Sequence, residues 1–568
     1  MPYVKSYCES YVGPKRGRKQ PPPFVEYMGK RKTRACSEQI FLENLYDTQN
    51  VSRLAQEYAR ALPYPHASIT PVCYEHKLLN VLEQLESHLT LSFKETDLFK
   101  VLQSTDLASV DSDEYRDACH DLLILRDSLY SEKFRDFIQK VTNCPPLASR
   151  VDCSCNVYPQ GGHLLCHDDV IGSRCISYII YLSDPCESWE LSDGGALELY
   201  STTKYPNVPA TVPSGAVLPQ WNSMLLFRVE PGRSFHSVQE VYAKHKSRIS
   251  ISGWYHLADP SISKVEHASA TALFQRDFVL TEQVHQNDHP RLVAPSRQVF
   301  QFHQLGYSPD DRKYLKAWIN HEYLSSEGMI QLEEQFRQQR SMILHSFLKD
   351  DVVHAIKSAI LSERQKRASL RHNHSDGFDA GWVLCGPPHV RRFFRFQGSS
   401  DTNTQGESAD LGNYLTKISE YLFKSKAFGH WLTKVVTRQV GLGEGTIRRF
   451  RSGLDYTVAL PYSRHYDNQI SLTLCFVDDF DIASKHLWSS GDVGGYTCHM
   501  TPCEERNAAV AEVYEAEDDA SVLSVDPSFN TLSIIDCAGG GYDFVKFLST
   551  SAPSDRWDIS LNMSSKDA

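Results

Sequence analysis

The sequence predicts an α+β fold: two tandem jelly-roll domains flanked by helices, the second a degenerate copy of the first. Three observations carry that prediction. At 568 residues the chain exceeds what one hydrophobic core ordinarily organises, so two domains are expected. Each half opens on segments of helical spacing and then turns to short runs of strand alternation. The second half also repeats landmarks of the first. Arg174-Cys-Ile-Ser-Tyr-Ile-Ile-Tyr-Leu182 is echoed by Asn468-Gln-Ile-Ser-Leu-Thr-Leu-Cys-Phe476, and Gly194-Gly195 by Gly494-Gly495. Arg248-Ile-Ser-Ile-Ser252 is echoed by Arg556-Trp-Asp-Ile-Ser560. The expected organisation is a basic arm over 1–35, a first domain over 36–256, a connection over 257–308 and a second domain over 309–568.

The arm carries Lys15-Arg-Gly-Arg-Lys19 and Lys30-Arg-Lys-Thr-Arg34 around Pro21-Pro-Pro23. Such a segment has too little apolar surface to order itself, and it reads as a nuclear address or a solubilising tail. Helical spacing then predicts helices over 51–62, 74–89 and 131–141. Strands take over from about Val151. Over 174–182, Ile176, Tyr178, Ile180 and Leu182 share one face, and Ser177, Ile179 and Tyr181 the other. Asp193-Gly-Gly195 signals a hairpin leading into 196–200. Runs at 223–229 and 247–255 complete the set, and in the last Arg248, Ser250 and Ser252 point away from Ile249 and Ile251. The Pro- and polar-rich stretch 257–308 reads as the interdomain connection. Beyond it Leu332, Phe336, Ile343 and Phe347 fall at helical spacing, followed by a helix over 352–361. After a loop at 397–403, strand-like runs return at 456–460, 470–477, 532–536 and 557–561.

A net charge of −11 argues against a general polyanion binder. Fifteen cysteines are present, but they are scattered and contain no Cys-x-x-Cys pair. An odd count, no zinc spacing and no secretory leader pattern favour reduced thiols in a cytoplasmic or nuclear protein. The longest apolar runs are too short to span a bilayer, so no membrane partner is expected.

The chemistry concentrates in Tyr158-Pro-Gln-Gly-Gly-His-Leu-Leu-Cys-His-Asp-Asp169. His167-x-Asp169 offers an imidazole and a carboxylate at a strand end, and His236 is the candidate third ligand. Two histidines and one carboxylate on one face of an octahedral ion form the ligand set of non-haem Fe(II) oxygenases, which leaves three positions open. Arg248 follows His236 by twelve positions on a strand's polar face. A planar guanidinium there can grip the far carboxylate of a dicarboxylate co-substrate whose oxo-acid end chelates iron. The Tyr181 hydroxyl could share that carboxylate. Each feature is common alone; the ordered set is specific.

Four segments carry a resemblance. They are Leu164-Leu-Cys-His-Asp-Asp169, Gly194-Gly-Ala-Leu-Glu-Leu-Tyr200, Phe235-His-Ser-Val238 and Lys246-Ser-Arg-Ile-Ser-Ile-Ser-Gly-Trp254. With them the chain resembles the 2-oxoglutarate- and Fe(II)-dependent prolyl 3-hydroxylases, a two-domain family that modifies a small-subunit ribosomal protein near the decoding centre. Trp318-Ile-Asn320 and Tyr323-Leu324 echo that family's second domain. The resemblance implies tandem double-stranded β-helices, with Fe(II) on His167, Asp169 and His236, and 2-oxoglutarate on Arg248 and Tyr181. Tyr158 matches a tyrosine that lines the family's pocket. It further implies O2 as oxidant, succinate and CO2 as products, ascorbate in support, an effect on translation and contact with translation factors.

The second copy is expected to lack metal. Placing Phe450 opposite Tyr158 sets Ala459 and Pro461 where His167 and Asp169 stand, and Asp543 where His236 stands. His465-Tyr-Asp467 then falls in a loop. Two other functions fit part of the pattern. A nucleic-acid demethylase of the same barrel class would carry a second arginine six residues after Arg248, where this chain has Trp254. A ribosome- or translation-factor-binding scaffold would not need an intact ligand set. No sequence-specific nucleic-acid binding is expected.

Overall fold

The computed structural model describes residues 39–110, 117–202, 208–262, 306–367, 374, 381–398, 411–461, 468–500, 522–537 and 541–567. Ile40–Ala568 forms one compact unit. The basic arm, most of the 257–308 connection and His465 lie outside the described residues.

The first helices form where expected, at Thr48–Arg60, Glu75–His88 and Glu132–Thr142. The last shows why. Phe134, Phe137, Ile138 and Val141 recur at helical spacing and are all buried. Ser131 caps its start by accepting the Phe134 N–H at 3.2 Å, and Asn143 ends it in the left-handed conformation. Phe134 stacks on Phe41 at 4.6 Å and meets Tyr255 from the sheet at 6.4 Å, so this helix covers the sheet's outer face. A further helix, His120–Tyr130, was not expected, although Leu122, Leu125 and Leu129 recur at helical spacing and are buried.

The seven strands that position the site are β1 (Leu147–Tyr158), β2 (His163–His167), β3 (Arg174–Tyr181), β4 (Leu197–Leu199), β5 (Ser223–Arg228), β6 (His236–Val238) and β7 (Arg248–Leu257). All pair antiparallel. β7 lies between β1 and β3, β3 pairs β5, and β6 lies between β2 and β4. Phe99–Gln103 bridges β1 to β2, which makes one continuous 11-stranded sheet. Residues of β6 and β7 line the same cavity although they stand four strands apart, so the sheet curls. The parity read from the sequence holds. Ile176, Tyr178, Ile180 and Leu182 join the outer core with the helices, while Ile179 and Tyr181 join a cluster on the inner face.

The same pairing order recurs in the second half. Its strands are β8 (Arg438–Phe450), β9 (Leu460–Pro461), β10 (Gln469–Phe476), β11 (Thr497–Met500), β12 (Thr531–Asp536), β13 (Tyr542–Val545) and β14 (Arg556–Asp567). β14 lies between β8 and β10, β10 pairs β12, and β13 lies between β9 and β11. Phe450 pairs with Arg556 as Tyr158 pairs with Arg248. One position needs correction: Leu460, not Ala459, is the residue opposite Asp543.

The helical reading of Leu332 to Phe347 is also corrected. The helix Ser326–Gln339 stops where Arg340 turns left-handed at φ 57°. Beyond it the period changes from helical to two. Met342 and Leu344 are buried with Ile343 exposed, and Ser341–Leu344 is a strand paired to β12.

Part-buried polar ties join the halves. His374 Nε2 meets Glu198 Oε1 at 2.7 Å, the Ala459 N–H donates to Asp97 at 2.8 Å, and Lys546 pairs with Glu95 at 3.2 Å. The second half therefore closes against the side of the curled sheet that carries β2, β4 and β6. Among the described residues no helix is long and apolar enough to cross a membrane.

Candidate active site

β2 and β6 run antiparallel in a register that sets His167 directly opposite His236. Side chains at paired positions project to the same face, so both imidazoles emerge together. Asp169 reaches them because the chain turns just after β2, with φ +63° at Asp169 itself. Aspartate tolerates this left-handed conformation better than most residues, and such local strain is typical of functional sites. Asp169 Oδ1 lies 3.1 Å from His167 Nε2, and Oδ2 lies 3.4 Å from His236 Nε2. The three donor atoms fall within 4.8 Å of one another, the only such group among the described residues.

Both imidazoles are oriented by backbone. His167 Nδ1 lies 2.8 Å from the Leu165 carbonyl, and His236 Nδ1 lies 2.8 Å from the Ser234 carbonyl. A carbonyl only accepts, so each Nδ1 carries the proton and each Nε2 lone pair faces inward, as a metal ligand requires. The Trp254 indole N–H donates to Asp169 Oδ2 at 3.0 Å and fixes the carboxylate. Asp168 ties the two ligand loops together: its carboxylate accepts the Gly232 N–H at 3.2 Å, and its carbonyl accepts the Ser234 hydroxyl at 2.9 Å. Burial alone would raise Asp169, but the two imidazoles, His236 most strongly, hold it well below the usual carboxylate range. Burial opposes an imidazolium at His167, yet Asp169 outweighs it and the imidazole is raised. The triad is thus an anionic pocket that holds positive charge.

Arg248 projects from β7 into the same cavity, which measures about 350 Å³. Its Nε–H donates to the Gly195 carbonyl at 3.0 Å. That carbonyl faces the arginine because Gly194 and Gly195 both adopt positive φ, and a Cβ on Gly194 would stand 2.1 Å from the Glu240 carbonyl oxygen. Arg248 is 1% exposed, yet its Nη2 has no hydrogen-bond partner and no carboxylate pairs with it among the described residues. A buried guanidinium without a counter-charge is costly, so the donor set fits an anionic ligand entering the cavity. Tyr181 and Tyr158 flank it, with the guanidinium carbon 5.1 and 5.0 Å from their ring centres. Burial pushes the Tyr158 phenol up to about 12, against the field of Arg248, and raises Tyr181 as well. Both stay protonated, and the buried Tyr181 hydroxyl is turned toward Arg248 without a well-formed hydrogen bond. These residues fit Fe(II) with a chelating dicarboxylate.

His167, Asp169, His236, Arg248 and Tyr158, all predicted from sequence, line one cavity, and Tyr181 stands against Arg248. Three contributors were missed. Trp254 shares the strand parity of Arg248, Ser250 and Ser252, a signal that could have found it. Asp168 gave no signal beyond its neighbours. His389 comes from the second half to line the same cavity, and nothing local in the sequence marks it.

Comparison with known proteins agrees with this geometry. Residues 153–256 match the 2OG-Fe(II) oxygenase superfamily, and 310–568 match the oxoglutarate and iron-dependent oxygenase degradation C-terminal family. A prolyl 3,4-dihydroxylase OGFOD1 from Ostreococcus tauri is 40% identical over 506 residues, spanning 88% of this chain and 94% of that one. The Drosophila melanogaster prolyl 3-hydroxylase sudestada1 is 24% identical over 82% of this chain and 76% of its own. A Trichoplax adhaerens prolyl hydroxylase, solved with a hypoxia-inducible-factor peptide, is 19% identical and aligns over 41% of this chain and all of its own, with a TM-score of 0.30. The chain belongs to the OGFOD1-type prolyl hydroxylases, enzymes that use Fe(II), 2-oxoglutarate and O2.

Proposed function

We propose that this enzyme hydroxylates a prolyl residue of a small-subunit ribosomal protein near the decoding centre, and so acts on translation in the cytoplasm or nucleus. The observation that carries the chemistry is the convergence of His167, Asp169, His236 and Arg248 on one cavity. The substrate's identity follows from the family resemblance.

In this reading His167, Asp169 and His236 hold the iron through Nε2, a carboxylate oxygen and Nε2. Bound Fe(II) with 2-oxoglutarate supplies the oxidising chemistry: O2 and the oxo-acid yield succinate and CO2, and one oxygen atom enters the substrate. Arg248 holds the far carboxylate with its unpartnered Nη2–H, Tyr181 donates a phenolic hydrogen to the same group, and Tyr158 forms the wall beside it. Phe227, Phe235 and Val238 line the cavity and keep it apolar, which shields the target C–H from water. Ascorbate is expected only to restore oxidised iron.

Trp254 speaks against the demethylase alternative. It stands where those enzymes carry a second arginine, and its indole is committed to Asp169. A scaffold role leaves the unpartnered Nη2 of Arg248 unexplained.

We further infer two domains, a catalytic double-stranded β-helix over 36–256 and a non-catalytic, degenerate copy over 309–568. Shared pairing order supports the duplication. Arg556 donates to the Gly495 carbonyl as Arg248 does to Gly195. At the position of Ser250, however, the second half has Asp558, which neutralises Arg556 at 2.9 Å and binds Arg448 at 2.7 Å. That arginine has its counter-charge already.

Intact-mass analysis of the ribosomal protein with and without the enzyme tests the substrate. A gain of one or two oxygen atoms is expected; no gain removes the substrate. Iron stoichiometry tests the duplication, and two irons per chain would overturn the degenerate reading.

A further inference from the structure

His389 stands in the loop between strands Trp382–Cys385 and Arg391–Phe396 of the second half. It nevertheless lines the cavity that holds His167, Asp169 and His236. Its ring lies 5.0 Å from that of Phe235, the neighbour of His236. The side chain is 3% exposed, and neither ring nitrogen has a hydrogen-bond partner. Buried polar groups are ordinarily paired, and an imidazole with both nitrogens unmet is a marked exception.

The loop is held firmly. The Val390 and Arg391 N–H groups donate to the Pro387 carbonyl at 3.0 and 2.9 Å. The Tyr456 hydroxyl donates to the Pro388 carbonyl at 2.5 Å, and the Val458 N–H to the Val390 carbonyl at 3.0 Å. The ring is therefore presented on fixed backbone, as a binding residue should be.

A neutral imidazole offers one donor and one acceptor. A peptide carrying a target proline lacks the prolyl N–H and cannot form a regular ladder there, so its carbonyls need donors from the site. A neutral donor suits a cavity that already gathers the iron and Arg248, where another cation would be repelled.

We propose that His389, supplied by the second half, is a substrate-binding residue that donates an imidazole N–H to a backbone carbonyl beside the target proline. The proposal rests on the prolyl hydroxylase reading above. It makes the substrate site incomplete without the C-terminal half, and gives that half a direct role in peptide recognition.

The test uses the full chain and a synthetic peptide spanning the target proline of the small-subunit ribosomal protein. His389→Phe keeps the packing on Phe235 but removes the donor; His389→Gln keeps a donor. Expected are a peptide KM raised about tenfold in H389F, largely recovered in H389Q, and a 2-oxoglutarate KM unchanged in both. An unchanged peptide KM in H389F, or equal losses in both variants, would overturn the proposal. A wild-type enzyme that consumes 2-oxoglutarate but leaves the peptide unmodified would overturn the underlying reading and this proposal with it. That failure shows before any variant is made.

Discussion

His167 and His236 face each other across an antiparallel strand pair, their ring centres 4.2 Å apart and Asp169 closing the third side. Strand register alone sets the first relationship, and a left-handed turn sets the second. The turn makes a separable prediction. Asp169→Gly should abolish iron retention and 2-oxoglutarate turnover while the protein still folds, because glycine adopts φ +63° at no steric cost and so offsets part of the loss of the Trp254 bond. His167→Ala should lose iron equally. Metal analysis and circular dichroism check both, and iron retained by either variant would sink the ligand assignment.

Arg248 should govern the co-substrate. Replacing it with Ala removes a charge-assisted bond and should raise the KM for 2-oxoglutarate about 10- to 100-fold with little change in iron content. Lysine should recover only part, since it lacks the planar fork that also reaches the Gly195 carbonyl. Steady-state kinetics decides; an effect confined to the peptide KM would contradict the role.

Trp254 should act on a bound metal through Asp169, whose carboxylate its indole N–H holds. Trp254→Phe keeps most of the ring and loses the indole N–H, so Fe(II) affinity should fall about 10- to 100-fold. Added iron should restore turnover. A loss that no iron concentration repairs would mean the indole serves something else.

Gly194 carries the backbone of the arginine clamp. A methyl group there meets both a positive φ and the Glu240 carbonyl at 2.1 Å. Gly194→Ala should cost about 2–3 kcal/mol and lower the melting temperature by several degrees. A variant as stable as wild type would show that this turn can shift.

Asp543, the counterpart of His236, should weaken the fold at neutral pH. Burial raises its carboxyl from 3.8 to about 6, against the opposing Arg448. Between those values the folded chain holds a proton that the unfolded chain has released, so stability falls as pH rises through this window. Asp543→Asn should therefore match wild type near pH 4 and exceed it above pH 6 by on the order of 1 kcal/mol. Denaturant titrations at both pH values check this, and a pH-independent difference would reject it.

Much of this enzyme is local information. Strand parity at 174–182 and 248–252 is a period-two pattern, so the faces of Tyr181 and Arg248 were legible before any fold was known. The His-x-Asp spacing, the repeated Gly-Gly pair and the repeated arginine strand are likewise written in short stretches. Gly194-Gly195 nonetheless makes no hairpin: it follows the short helical turn Leu191–Asp193, and Leu197–Leu199 pairs with His236–Val238 and Gly215–Val217. Other features depend on distant segments meeting. The curl of the sheet brings β6 and β7 to one cavity, and the closing of the halves sets Glu198 against His374 and brings His389 to the cavity lined by His167, Asp169 and His236. The pairing of Leu460 with Asp543 was settled by strand register. Register and closure are properties of the packed chain, decided by which faces bury against which, and no local periodicity encodes them.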